Sequence, residues 1–208
     1  MWARVRRAVV LLALLALCPL PASANATGDV RGRVSIAVEG VEASNVGPVA
    51  VYLSPVEGTL RFAAPRRPVT IRQENAQFVP SFSVVTVGQT VDFPNSDRFF
   101  HNVFSFSKPN VFQLGLYPAG ESRTVTLNHP GVVHIYCSIH ESMRAVVLVS
   151  PSPWHAISDG SGAFEIMGVP PGDYQITSFN EPLPPETRDV KVVAGESTFV
   201  EIVIGAKE

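Results

Sequence analysis

Three residues in one short loop have the types and spacing to bind a metal. Cys137, His140 and Met143 are each separated by two residues. Thiolate, imidazole and thioether are all soft or borderline ligands, and soft sulfur selects for soft metals. They sit in GVVHIYCSIHESMRAVVLV, residues 131–149, which reads as a strand, a short loop and a second strand. One further imidazole from elsewhere would complete a four-donor set.

The elements that must position these groups decide which histidine that is. In GVVHIYC, period two places Val133, Ile135 and Cys137 on one face, and His134 and Tyr136 on the other. His134 is therefore assigned a surface or strand-pair role. His129 precedes Pro130 in a turn and His155 follows Trp154 in a stiff junction, and neither has a ligand-like companion. His101 follows a polar turn over residues 95–97, precedes Asn102, and opens a strand that can lie beside the Cys137 strand. Two histidines, one cysteine and a weak axial methionine is the arrangement of blue-copper electron-transfer sites. A rigid S/N site suits both soft Cu(I) and harder Cu(II). The competing readings are a buried structural thiol with incidental neighbours, and zinc. Against catalytic zinc stand the methionine and the lack of an open position for water.

The chain has 208 residues, 16 % charged, with 18 Pro, 15 Gly and 12 Phe, a balance that points to an all-β protein rather than a helical bundle or disorder. Residues 1–26 read as a cleavable export signal. Arg4, Arg6 and Arg7 precede the apolar run AVVLLALLALCPL, and small residues follow it. Leu17 before Cys18 argues against a lipoprotein signal. Cleavage would move the formal charge from −2 to −5 and leave Cys137 as the lone cysteine. A mildly acidic chain without basic clusters argues against nucleic acid. Exported proteins normally use cysteines in pairs, so a lone one is a structural thiol, an intermolecular link or a ligand. A single cysteine also rules out a dinuclear centre with two bridging thiolates.

In order, VRGRVSIAV and VAVYL read as strands around a turn with Gly40, Asn45, Gly47 and Pro48, followed by a Pro-rich basic loop over residues 54–68 with Arg61, Arg66 and Arg67. Next come VTIRQ and FSVVTVGQTVDF, the latter turning at Gly88-Gln89, and then the histidine strand, RTVTL and the two strands flanking the ligand loop. Phe99, Phe100, Phe104, Phe106 and Phe112 are read as core, because aromatics carry large buried area. AVVLV is continuously apolar and should be buried on both faces. After Ser150, GAFEIMGVPPGDYQITSF reads as two strands about a turn, and VKVVAGESTFVEIVI as a final hairpin through Ala194-Gly195. No amphipathic helix of convincing length follows the signal.

The segments VGQTVDFPNSDRFFHNVFS, LYPAGESRTVTLNHPGVVHIYCSIHESM and AVVLV resemble the cupredoxins, the family that includes plastocyanin, pseudoazurin and amicyanin. The resemblance covers residues 69–149, and the short ligand loop is most similar to that of amicyanin. It implies that His101, Cys137, His140 and Met143 hold one type 1 copper, with Met143 axial. It also implies that Asn102, outside the ligand set, tunes the site by a hydrogen bond from its backbone N–H to the cysteine sulfur. Ile139 departs from the pattern, since many relatives carry proline there, and an extra N–H near the thiolate would raise the reduction potential. Tyr136 stands where multicopper oxidases and copper nitrite reductases place a histidine, so the resemblance implies no enzyme.

The tail resembles a carboxypeptidase regulatory-like, transthyretin-like β-sandwich, whose opening strands have the character of VRGRV and VAVYL. The expected fold class is all-β: a cupredoxin Greek-key β-sandwich plus a second, transthyretin-like β-sandwich. The expected divisions are a signal over 1–26, N-terminal strands of the second sandwich over 27–62, the cupredoxin unit over 68–150 and the rest of the second sandwich over 151–208. The expected function is an exported, periplasmic or secreted, electron carrier that does not span the membrane once its signal is cleaved. Ile139 and the phenylalanines would form a docking face around His140 for a redox partner, such as a c-type cytochrome or a dehydrogenase or oxidase. The alternatives are a copper carrier or sensor without redox turnover, and a binding or adhesion sandwich with a vestigial site.

Overall fold

Alternating burial along the strands shows how this chain builds its layers. The first strand, β1 (Gly28–Ile36), follows the pattern of one buried residue in two, with Val30 and Val34 inward and Arg31 and Arg33 outward. The computed structural model describes residues 26–38, 47–57, 62–181 and 183–205. The expected export signal, the turn at Gly40 and Asn45, and Arg61 lie outside the described residues, apart from Ala26 at the signal's end. After β1 come β2 (Ala50–Pro55), β3 (Val69–Thr70), β4 (Arg72–Glu74), β5 (Gln77–Val79), β6 (Phe82–Thr86), β7 (Thr90–Pro94), β8 (His101–Ser105), β9 (Phe112–Tyr117), β10 (Ser122–Thr126), β11 (Gly131–Tyr136) and β12 (Arg144–Ser150). The last five are β13 (His155–Ile157), β14 (Ala163–Val169), β15 (Gly172–Phe179), β16 (Thr187–Val192) and β17 (Ser197–Ile204). The expected all-β class holds, with no helix among the described residues. It follows that no described helix is long and apolar enough to cross a membrane.

A five-stranded sheet, β6-β12-β11-β8-β9, faces a three-stranded sheet, β10-β7-β3. Their shared core includes Ile71, Phe93, Val103, Val133, Ile135 and Val147. A second pair of sheets, β14-β1-β17 and β13-β2-β15-β16, encloses Val30, Leu53, Ile166, Ile176 and Ile202. β1 pairs with β14 and β17, and β2 pairs with β13 and β15. Strands before residue 56 thus share their sheets with strands after residue 154.

The two cores meet at a third cluster, Ala50, Val84 and Leu148, with Tyr52, Phe82, Val132 and Phe179 packed around it. Here β12 explains its own sequence. Ala145, Val147 and Val149 face the first core while Leu148 faces the second pair of sheets, so both faces are covered and alternation is lost. Phe82 stacks on Phe179 with ring centroids 6.3 Å apart. His134 Nε2 lies 3.0 Å from the Glu181 carboxylate, joining β11 to the segment after β15, and His155 Nε2 lies 3.3 Å from Thr86 Oγ1.

Three expectations are corrected. VTIRQ is not one strand: Ile71 separates β3 from β4, and β4 turns back on β5 as a hairpin through Asn75 and Ala76, both at positive φ. VKVVAGESTFVEIVI is not a hairpin. β16 pairs with β15 and β17 runs parallel to β1, so the turn at Gly195 carries the chain from one sheet to the other. Val192 and Ile202 then fill the same core from opposite sides, which a flat hairpin would not allow. Among the five phenylalanines, Phe99, Phe100 and Phe106 are exposed and Phe104 and Phe112 are half-buried. In β8 it is His101, Val103 and Ser105 that point inward, which turns Phe104 to the outer face.

Candidate metal centre

The inner face of the five-stranded sheet brings the sulfur and the first imidazole together. Tyr136 of β11 lies opposite Phe104 of β8, so Cys137 and His101 both fall on the inward set of positions. Cys137 Sγ is 3.8 Å from His101 Nδ1 and 3.9 Å from His140 Nδ1. The three donor atoms lie within 4.8 Å of one another, and the two imidazole centroids are 5.0 Å apart. Cys137 is the single described free cysteine and is buried.

The loop is tied at both ends. Asn102 Oδ1 accepts hydrogen bonds from the Ser138 N–H at 2.8 Å and the Ser138 hydroxyl at 3.0 Å. The Met143 N–H donates to the His140 carbonyl at 3.0 Å, closing a tight turn. Met143 is 1 % exposed and belongs to the same core as Cys137. Asn102 therefore meets the loop through its side chain, one residue from the sulfur.

Burial is graded across the cluster: His101 is 0 % exposed and Cys137 5 %, while His140 is half-buried at the rim. Phe99, Phe100 and Ile139, each within two residues of a donor histidine along the chain, are exposed apolar side chains. The Phe99 ring lies 5.0 Å from the His101 ring and 5.3 Å from the His140 ring. His134 is on the opposite face of β11 and takes no part, as period two requires.

Two polar groups beside the cluster were not singled out from the sequence. Asp97 Oδ2 lies 2.8 Å from His101 Nε2. Burial alone would push this carboxyl up, but the Ala76 N–H, the His101 ring and the Asn75 N–H outweigh that and hold it below the ordinary carboxylate range. Its place four residues before His101 in a polar turn was the available signal. The second group is Tyr117, opposite His101 in register and fully buried. Its hydroxyl donates to the Phe93 carbonyl at 2.9 Å and accepts from Gln73 Nε2 at 2.5 Å. Burial pushes its hydroxyl up to about 12, against the opposing Gln73 hydrogen bond and Arg123 charge. This keeps it neutral.

The donor set fits a metal. An ion bonded at about 2.3 Å to sulfur and about 2.0 Å to nitrogen holds those two atoms about 3.5 to 3.8 Å apart. The observed separations of 3.8 and 3.9 Å are within reach of that with small adjustment. One thiolate with two imidazoles is also a donor chemistry that suits copper.

No protein-family model matches the chain, and no curated protein does. Solved structures similar to part of it include a Cu-containing nitrite reductase (NirK) from Thermus scotoductus SA-01, at 27 % identity over 48 % of this chain with a TM-score of 0.40. This chain spans 26 % of the length of that protein. A reduced single-site mutant of amicyanin is 20 % identical over 40 % of this chain and 82 % of its own, with a TM-score of 0.38. A purple cupredoxin from Nitrosopumilus maritimus is 23 % identical over 39 % of this chain and 99 % of its own, with a TM-score of 0.37.

Proposed function

We propose that the chain is an exported electron carrier that holds one mononuclear copper between His101, Cys137, His140 and Met143. The observation that carries this reading is the convergence of one sulfur and two imidazole nitrogens within 4.8 Å on buried, strand-anchored positions. Bound copper would supply a one-electron couple between Cu(I) and Cu(II). The protein's part is to present these donors in a fixed frame, so that little rearrangement accompanies a change of charge. His101 and Cys137 are held on β8 and at the end of β11, and Asn102 pins the start of the loop.

His101, Cys137 and Met143 are buried, which supports a carrier rather than an enzyme. His140, half-buried within the rim of Phe99, Phe100 and Ile139, is the edge at which a partner such as a c-type cytochrome, a dehydrogenase or an oxidase would exchange electrons. Tyr136 is turned away from the Cys137 face toward Phe104, whose ring is 5.8 Å off, and offers no imidazole to a second metal. The second pair of sheets is read as a regulatory-like, transthyretin-like sandwich into which the metal-binding unit is inserted, with a positioning role.

Voltammetry of the copper-loaded mature protein tests the reading. A reversible one-electron wave, with copper retained in both states, is expected. Release of copper on reduction would make the chain a copper carrier instead.

A further inference from the structure

The Asn75-Ala76 turn of the β4–β5 hairpin lies far from the ligand loop in sequence, yet two of its N–H groups converge on one carboxylate. The Asn75 N–H donates to Asp97 Oδ1 at 2.7 Å and the Ala76 N–H to Asp97 Oδ2 at 2.9 Å. Both residues have positive φ, 55° and 53°. For Ala76 that left-handed conformation costs about 1 to 2 kcal/mol, since its Cβ crowds the following carbonyl. Strain of this kind persists where the surroundings impose it, and it clusters at functional positions. Asn95 adds a third tie, its Oδ1 accepting the Asp97 N–H at 3.0 Å. The Asp97 side chain is 9 % exposed and the His101 side chain 0 %.

We infer that Asp97, clamped by the β4–β5 turn, is a positioning residue that orients His101 for metal binding. The inference rests on the copper reading above. A carboxylate 2.8 Å from Nε2 accepts a hydrogen bond from it, so the neutral ring carries its proton on Nε2. Nδ1 is left with its lone pair toward Cys137 Sγ, 3.8 Å away. A ligating histidine that donates its other N–H to a carboxylate is held in one tautomer and one orientation, and is a more basic ligand. The carboxylate also places a negative charge beside the site, which favours the more highly charged Cu(II) and lowers the reduction potential. The hairpin is thereby part of the metal site, although it supplies no ligand.

Two measurements on the full chain separate this inference from the copper reading. In the metal-free protein at pH 8, nitrogen-15 NMR of the histidine rings is expected to show His101 protonated on Nε2, and Asp97→Ala is expected to abolish that single-tautomer signature. In the copper-loaded protein, Asp97→Asn is expected to weaken Cu(II) affinity roughly 10- to 100-fold, the usual effect of removing such a partner. It is also expected to raise the reduction potential, and Asp97→Glu to restore part of both. A wild-type His101 protonated on Nδ1, or an Asp97→Asn protein with unchanged Cu(II) affinity and potential, overturns the inference while leaving the copper reading intact. A wild-type protein that gives the Nε2 signature but binds no copper overturns the copper reading instead. Circular dichroism of each variant confirms that it folds. Should Asp97→Ala not fold, Asp97→Ser, whose shorter neutral side chain keeps a polar group in the turn but stops short of Nε2, takes its place in the NMR comparison with the same expected loss.

Discussion

Leu148 and Val147 are neighbours in β12 that point to opposite sides, and truncating Leu148 to alanine probes whether the two pairs of sheets form one packed body. Leu148 is 4 % exposed, and the groups that cover it are Ala50, Val84, Tyr52, Phe82, Val132 and Phe179. Ala50, Tyr52 and Phe179 belong to β2 and β15, in the second pair of sheets. Loss of the three buried carbons beyond Cβ removes about 2.4 kcal/mol of transfer free energy at ~0.8 kcal/mol each. The unfilled space adds to this, so the full cost of Leu148→Ala is about 2 to 5 kcal/mol. The backbone is unaffected, because β12 keeps its ladders to β6 and β11. Urea titration followed by tryptophan fluorescence gives the unfolding free energy by linear extrapolation. The same variant should leave the visible spectrum of the copper-loaded protein unchanged, since Leu148 faces away from Cys137. A cost within about 0.5 kcal/mol, the usual effect at an exposed position, would refute the packing described between the two pairs of sheets.

The remaining predictions concern single contacts. Burial lowers the pKa of His155 below its ordinary value of 6.5. Above pH 6.5 the ring is neutral in both states; as the pH falls below that, the unfolded chain takes up a proton that the folded one refuses, so stability declines until the folded pKa is passed. Urea midpoints measured from about pH 8 to about pH 5 should show the decline, and His155→Gln should make it shallower. Ala76→Gly keeps both clamping N–H groups and relieves a left-handed alanine, and after the entropy cost of glycine it should raise stability by about 0.5 to 1 kcal/mol. A thermal melt that falls instead would show that Ala76 is not strained. Asn102→Ala leaves the Ser138 N–H and hydroxyl without their acceptor and should cost about 1 to 2 kcal/mol. It should also speed copper loss to a chelator, which a stopped-flow transfer assay would detect.

What was legible in the sequence was whatever period two controls. The alternation in GVVHIYC separated Cys137 from His134, and the structure keeps them on opposite faces. The unbroken apolar run in β12 announced a strand covered on both sides. What was not legible depended on which sheet a strand joins, because alternation does not record it. The VKVVAGESTFVEIVI segment has the same pattern whether it is a hairpin or a link between sheets, and the long parallel ladder of β1 and β17 decides the matter. The phenylalanines misled for a related reason. Residue type indicated burial, but Phe99 and Phe100 lie in the turn before β8, where Phe99 flanks the two imidazoles. Asp97 was missed because its partners, Asn75 and Ala76, are brought to it by a hairpin whose short strands carry little apolar signal.

The most direct measurement is the visible absorption spectrum of the protein loaded with Cu(II), beside that of the Cys137→Ser protein. A thiolate bonded to Cu(II) gives an intense visible charge-transfer band, so the wild type should show one, and it should vanish when the sulfur is replaced. A wild-type protein that binds Cu(II) without such a band, or a Cys137→Ser protein that retains it, would contradict the assignment of Cys137 as a copper ligand and with it the proposed electron-transfer function.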